Sequence, residues 1–229
     1  MRPNIAEQVD GTFILIVGIS ALLLLMITVL MIYFVIKYNR KRNAKASNIT
    51  GNTTLEVIWT IVPTVIVVVM FFSGYVGFKN MRDVPEDAMV VKVTGRMWVW
   101  SYEYANGLKS DTLFVPLGKP IKMEISSLDV NHSFYLPAFR VKEDAIPGRI
   151  NYLWFQPTEL GTYEIACAEY CGLRHSYMYS KLVVMPDDEF YEWYNLTSDS
   201  LMNETKPVEQ ETVSDTLKTQ TSTNDSSKK

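Results

Sequence analysis

The chain has 229 residues, 48% of them hydrophobic, with 22 Lys and Arg against 25 Asp and Glu for a net charge of −3. That length suggests one or two domains, but the apolar residues are so unevenly spread that a single soluble domain of average composition is excluded. Only two cysteines and two histidines are present, so any site built on them draws on a small supply.

Residues 13–36 are 24 consecutive residues without a charge, and residues 57–78 are 22 more. Each meets the roughly 20-residue requirement for crossing the hydrocarbon core as a helix. Soluble helices rarely run apolar all round, so two such runs 20 residues apart read as a pair of membrane spans. The first is expected to be retained: Arg2, Glu7 and Asp10 make no basic leader, and the run exceeds the roughly 7–15 apolar residues of a signal peptide. No third cysteine stands near the N-terminus, so a lipoprotein anchor is not expected. Between the spans lie Lys37, Arg40, Lys41, Arg42 and Lys45, with Glu56 the only acid before the second span. Loop 37–55 is therefore expected in the cytoplasm, and both termini on the periplasmic or outer side of a bacterial membrane. Pro63 predicts a kink in the second span, tolerated in lipid next to partner helices.

From residue 79 on there are 16 Lys and Arg against 22 Asp and Glu, a net of −6. An acidic exported region favours a basic protein partner and no nucleic acid. Residues 79–88 read as a polar linker. Short runs rich in Val, Ile, Tyr and Trp follow at 89–94, 98–104, 112–115, 120–126, 149–155, 161–167 and 179–185, punctuated by Gly, Pro and Asn106-Gly107. Six to eight strands over about 100 residues point to a Greek-key sandwich or small barrel. Pro186-Asp187-Asp188-Glu189 opens a short helix to about Asn195, its acids placed where the helix dipole favours them. From Thr197 the composition turns to Ser, Thr, Asn, Gln, Glu and Lys, too polar to offset its ordering entropy, and a disordered tail is expected. The division is then a membrane hairpin at 1–78, an exported β domain with its helix at 79–196, and a tail at 197–229.

Both cysteines, one histidine and a methionine fall within twelve residues: Cys167-Ala168-Glu169-Tyr170-Cys171-Gly172-Leu173-Arg174-His175-Ser176-Tyr177-Met178. The other histidine, His132, lies 35 positions before Cys167. Thiolate, imidazole and thioether are the soft-to-borderline ligands that select copper over oxygen-loving cations. Two cysteines of an exported domain also allow a disulfide. Against it stand the two histidines, the methionine closing the loop, and the loop's position between two strands that can hold ligands rigidly. A one-copper blue site needs His₂Cys and a weak axial Met, and the extra cysteine suits two coppers sharing two thiolates. Zinc fits the ligand count, but its usual Cys-x₂₋₄-Cys and His-x₃₋₅-His pairing is absent.

The Cys-x-Glu-x-Cys-Gly-x-x-His-x-x-Met loop resembles subunit II of the cytochrome c oxidases in the haem–copper superfamily. So do the run Gly95-Arg96-Met97-Trp98-Val99-Trp100-Ser101-Tyr102-Glu103-Tyr104, His132-Ser133-Phe134 and Asp144-Ala145-Ile146-Pro147-Gly148-Arg149. The resemblance covers essentially 1–195. It implies a two-helix transmembrane hairpin followed by an all-β cupredoxin-like Greek-key domain that carries the binuclear copper centre, CuA. By the same resemblance Cys167 and Cys171 bridge two coppers, His132 and His175 cap one each, Met178 is a weak ligand, and the carbonyl of Glu169 is the sixth. The Glu169 side chain is expected to bind magnesium at the interface with subunit I. Trp98 is expected to receive electrons from cytochrome c, Glu103 and Asp129 to belong to its docking patch, and Glu56 to stand at the mouth of a proton-uptake channel into subunit I.

These residues have plainer readings. Trp98, Trp100, Tyr102 and Tyr104 alternate, so on a regular strand all four would face one way, into a core. Exposed acids are usually just solvated, and a glutamate at a span boundary is often only interfacial. The expected partners are subunit I, which holds the haems and CuB, subunit III, a c-type cytochrome and membrane lipid. Quinol oxidase subunits II typically lack the cysteine and histidine ligands, and nitrous-oxide reductases usually carry a similar loop on propeller-bearing chains. Neither pattern is this one. There is no Cys-x-x-Cys-His, so the cytochrome is expected to be a separate protein.

Overall fold

The computed structural model describes residues 5–45 and 50–204, with side chains described through 196. Helix α1 spans Ile5–Lys37 and helix α2 spans Thr53–Arg82. At 1.5 Å per residue the 33 residues of α1 reach about 50 Å, beyond the roughly 30 Å hydrocarbon core, so its first turns stand clear of the apolar band. No residue in the most apolar stretch of either helix is buried, and most are exposed, as with Leu22 at 66% and Phe71 at 61%. Such a surface suits lipid or other apolar helices, not water.

Helix α2 starts at an Asn52 cap, whose Oδ1 accepts the Leu55 N–H at 3.1 Å, and runs through Pro63. The hydroxyls of Thr60 and Thr64 donate to the carbonyls of Glu56 and Thr60 at 2.8 and 2.6 Å. It does not stop where the apolar run ends. The expected linker at 79–88 is helical to Arg82, because Lys79 and Arg82 suit a helix C-terminus and Asn80 and Arg82 bond to the β domain.

The described residues then form ten strands: β1 Met89–Arg96, β2 Val99–Tyr104, β3 Lys109–Ser110, β4 Leu113–Pro116, β5 Ile121–Ser127, β6 His132–Leu136, β7 Val141–Ala145, β8 Asn151–Phe155, β9 Gly161–Cys167 and β10 Tyr179–Met185. They make two five-stranded sheets, β3-β2-β1-β5-β8 and β4-β10-β9-β6-β7. Each is antiparallel except for one parallel pair, β1 with β5 and β4 with β10. The crossovers give the expected Greek-key sandwich, its core filled by inward residues such as Val93, Tyr102, Ile125, Phe134, Ile165 and Leu182.

Three sequence expectations shift. The strand expected over 98–104 begins at Val99, and Met97 and Trp98 form the turn joining β1 to β2, with Arg96 opposite Val99. Trp98 thereby leaves the inward row, in which Trp100, Tyr102 and Tyr104 are at most 3% exposed. Strands β6 and β7 were not anticipated. Charged Lys142, Glu143 and Asp144 hide β7 from a local reading, and only five-residue pairing with β6 makes it a strand. Finally, α3 spans Asp187–Glu204, past the expected end near Asn195, since extending a nucleated helix costs less than starting one. Its Phe190 is fully buried, and Trp193 lies 5.5 Å from Tyr104 and 4.7 Å from Phe114 between ring centroids. The rest of the expected disordered tail, 205–229, lies outside the described residues.

Candidate metal centre

Strand β9 ends on Cys167, β10 begins at Tyr179, and the loop between them is closed at its base by the Cys167 N–H donating to the Met178 carbonyl at 3.2 Å. The loop is stiff because its own amides are used. Ala168 N–H donates to Ser133 O at 2.9 Å, and a 3₁₀ turn at His175–Tyr177 follows Gly172, whose carbonyl accepts the His175 N–H at 3.1 Å. Gly172 sits at φ +111°, a backbone conformation that suits glycine.

This folding gathers the soft donors. Cys167 Sγ lies 3.8 Å from Cys171 Sγ and 3.9 Å from His132 Nδ1. Cys171 Sγ lies 3.6 Å from His175 Nδ1 and 3.8 Å from Met178 Sδ. The Glu169 carbonyl points the same way, 3.3 Å from Cys167 Sγ. Ligand atoms of His132, Cys167 and Cys171 all fall within 4.8 Å of one another. The two thiols are free, their sulfurs separated by far more than the about 2.05 Å of an S–S bond. Burial first, and then the Cys167 sulfur beside it, push the Cys171 thiol up to about 12. A bound cation reverses that balance and makes the dithiolate the stable form.

His132 comes from the start of β6, not from the loop, and is fully buried. Its Nε2 is 2.8 Å from Asp129 Oδ1. A carboxylate only accepts, so Nε2 donates, and Nδ1 is the ring nitrogen left facing the sulfurs. Asp129 is itself held: Met97 N–H donates to Oδ2 at 2.6 Å and Val130 N–H to Oδ1 at 2.7 Å. Burial opposes its ionisation, but Met97, His132 and Val130 outweigh it and bring the carboxyl down to about 2. Sequence reasoning treated Asp129 as a docking acid and missed this contact, although the Asp-x-x-His spacing was there to be read. Gly95, part of the run 95–104, has a packing role that no local pattern shows. A Cβ there would meet Trp100 Cζ3 at 3.0 Å and His132 Cδ2 at 3.1 Å, so β1 is bare at the point where the His132 ring packs.

Of the other expected residues, Trp98 lies against the site and the acid side chains of Glu103, Glu169 and Glu56 lie apart from it. Trp98 is half-buried, its Nε1 donating to the Cys171 carbonyl at 3.2 Å. Trp100 packs edge-on to His132 with centroids 5.9 Å apart. Glu103 is clasped by Lys92 at 3.2 Å and Lys109 at 3.4 Å, and Lys92 first, then Lys109, hold its carboxyl below the usual range. Neither Glu103 nor Asp129 therefore presents an unmatched charge. Glu169 is exposed on the loop, and Glu56 is exposed in the first turn of α2 at the other end of the hairpin.

Fold and site together define a membrane-anchored β-sandwich protein with a candidate soft-metal site between a strand and a loop. Residues 3–75 match the family model described as cytochrome c oxidase subunit II, transmembrane domain, and residues 107–185 match that of its periplasmic domain. Cytochrome c oxidase subunit 2 of Cereibacter sphaeroides is 32% identical, the match covering 82% of this chain and 76% of that one. The solved periplasmic domain of cytochrome oxidase subunit II (CoxB) of Bradyrhizobium japonicum is 34% identical, covering 52% of this chain and 99% of that one with a TM-score of 0.49. A further structure, 33% identical over 52% of this chain and 96% of that one with a TM-score of 0.47, holds such a subunit in a mixed disulfide with thioredoxin-like TlpA. The chain belongs to the cytochrome c oxidase subunit II family. It is a membrane protein and a subunit of a cytochrome c oxidase.

Proposed function

We propose that this chain accepts electrons from a c-type cytochrome at a binuclear copper centre and passes them to haem a in subunit I, where O₂ is reduced to water as protons are pumped. The observation that carries this is a chain of soft donors across two sulfurs 3.8 Å apart, with His132 Nδ1 beside Cys167 and His175 Nδ1 and Met178 Sδ beside Cys171, and with the His132 ring oriented by its Nε2 contact to Asp129. Zinc would leave the thioether idle, whereas copper uses the whole donor set. Cys167, Cys171, His132, His175, Met178 and the Glu169 carbonyl would hold the metal. Once bound, copper held by these residues would supply one-electron transfer.

The chain's residues do the rest. Asp129 orients His132, and Met178, fully buried, keeps water from one side of the sulfurs. Trp98 joins the surface to the Cys171 carbonyl and is the residue through which we route electrons inward. The net −6 of the exported part supports docking of a basic donor. The basic loop 37–55 supports a cytoplasmic hairpin turn, with Glu56 beside it at the proposed proton-channel mouth and the Glu169 carboxylate free to share magnesium with subunit I. Were the two thiols to oxidise to a Cys167–Cys171 disulfide before metal loading, a thioredoxin-like dithiol would attack at Cys167, the less buried sulfur. It would release the Cys171 thiolate and then leave as its own disulfide, with both cysteines reduced.

Copper reconstitution tests the reading. The full chain, reduced and loaded in detergent, is expected to bind two coppers and turn purple. A colourless protein with a Cys167–Cys171 disulfide overturns it.

A further inference from the structure

The segment expected to be a linker is instead a tied junction. Arg82, in the last turn of α2, donates from Nη1 to the Tyr152 carbonyl at 3.1 Å and meets Glu143 Oε2 at 2.7 Å. Its guanidinium lies 5.6 Å from the Tyr152 ring centroid and 5.9 Å from that of Phe78. Tyr152 belongs to β8 in the first sheet and Glu143 to β7 in the second. One side chain at the end of a membrane helix therefore grips both sheets. The Glu143 side chain is only 15% exposed, so without Arg82 its charge would be left poorly solvated and unpaired.

Other ties reinforce the junction. Trp154 Nε1 donates to the Asn80 carbonyl at 3.2 Å, and Asn80 Nδ2 donates to Gln8 Oε1 at 3.0 Å, linking α2 to both the sheet and α1. Arg140 Nε donates to Asp10 Oδ1 at 2.9 Å. Ile5 is buried with the domain core, and Val9, Met81 and Val84 pack against it. A freely hinged domain would need none of these contacts.

We propose that Arg82 is a positioning residue that locks both sheets onto the end of α2 and thereby sets where the metal centre stands relative to the membrane partner. The proposal rests on the copper-relay reading. Transfer between two held centres depends on their separation and orientation, and remote changes that misplace reacting groups by about 1 Å can cost on the order of 10²-fold.

Arg82→Gln tests this, together with the double variant Arg82→Gln/Glu143→Gln, which removes the stranded carboxylate and with it the main cause of misfolding. In the full chain in lipid nanodiscs, amides of 83–88 and 141–145 are expected to exchange at least about tenfold faster in both variants, while those of 121–127 are unchanged. In the assembled oxidase both variants are expected to retain two coppers and the wild-type copper spectrum, with KM for cytochrome c unchanged and kcat lowered about tenfold. Arg82→Lys, which keeps the charge for Glu143 but loses the planar guanidinium beside the Tyr152 ring, is expected to fall between. Unchanged junction exchange in both variants overturns the proposal, as does a loosened junction with wild-type kcat. A wild-type chain without copper would refute the relay reading instead, and the exchange measurement would still decide whether Arg82 ties the junction.

Discussion

Adding one methyl group at Gly95 tests how tightly the first sheet packs over His132. A Cβ there would stand 3.0 Å from Trp100 Cζ3 and 3.1 Å from His132 Cδ2, closer than carbon atoms pack comfortably. Neither ring retreats easily: Trp100 is 2% exposed and His132 is fully buried, and His132 is tethered to Asp129 at 2.8 Å. The backbone at Gly95 is ordinary strand, so crowding alone acts in Gly95→Ala. Overpacking of this kind costs about 1–3 kcal/mol, which for a domain of this size is several degrees of Tm. The strain should be larger with metal bound, because His132 is then fixed at both ring nitrogens. Thermal unfolding of Gly95→Ala with and without copper measures both effects, and the copper absorption spectrum reports displacement of the ligand. A Tm within about 1 °C of wild type and an unchanged spectrum would show that the rings have room, and the packing argument would fail.

Three further outcomes follow from named contacts. Asp129→Ala frees the His132 ring to rotate and to change tautomer, so copper affinity in a chelator competition is expected to fall about 10–100-fold; wild-type affinity would count against the orienting role. Tyr104→Phe deletes a hydroxyl that donates to the Phe114 carbonyl at 2.9 Å and accepts its N–H at 2.8 Å. It is expected to cost about 1–3 kcal/mol in urea unfolding, and a loss under about 0.5 kcal/mol would mean that another partner takes over. Trp98→Phe removes the Nε1 bond to the Cys171 carbonyl but keeps an aromatic ring, so stopped-flow reduction by cytochrome c should slow while copper content stays constant. Equal rates in the two proteins would move the electron path elsewhere.

What the sequence made legible was what it carries locally. Two runs free of charge announce the helices because lipid tolerates little else. The soft ligands are legible because four of the side chains lie within twelve residues and have a chemistry of their own. The misses are all long-range. No local pattern shows that α2 continues to Arg82, since its last turn is held by Tyr152, Glu143 and Trp154, about 60 to 75 positions away in the chain. Trp98 looked like the first member of an alternating row, and only the pairing of Arg96 with Val99 puts it in a turn. Asp129 and Glu103 both read as exposed acids, because a sequence shows charge but not the partner that consumes it.

The same long-range packing explains why the candidate metal ligands need the whole sandwich. His132, Cys167 and the loop to Met178 all belong to the second sheet, yet the β1–β2 hairpin of the first sheet holds them in four places. Gly95 leaves space for the His132 ring, and Met97 N–H fixes the Asp129 carboxylate that orients it. Trp98 binds the carbonyl of Cys171, and Trp100 closes over His132 from the core side. Four residues within the six-residue stretch 95–100 thus clamp a candidate ligand set supplied by the opposite sheet. A loop holding its donors alone could relax around each oxidation state of a bound metal. Pinned across two sheets it cannot, and small structural change on gaining or losing an electron is what the proposed relay requires.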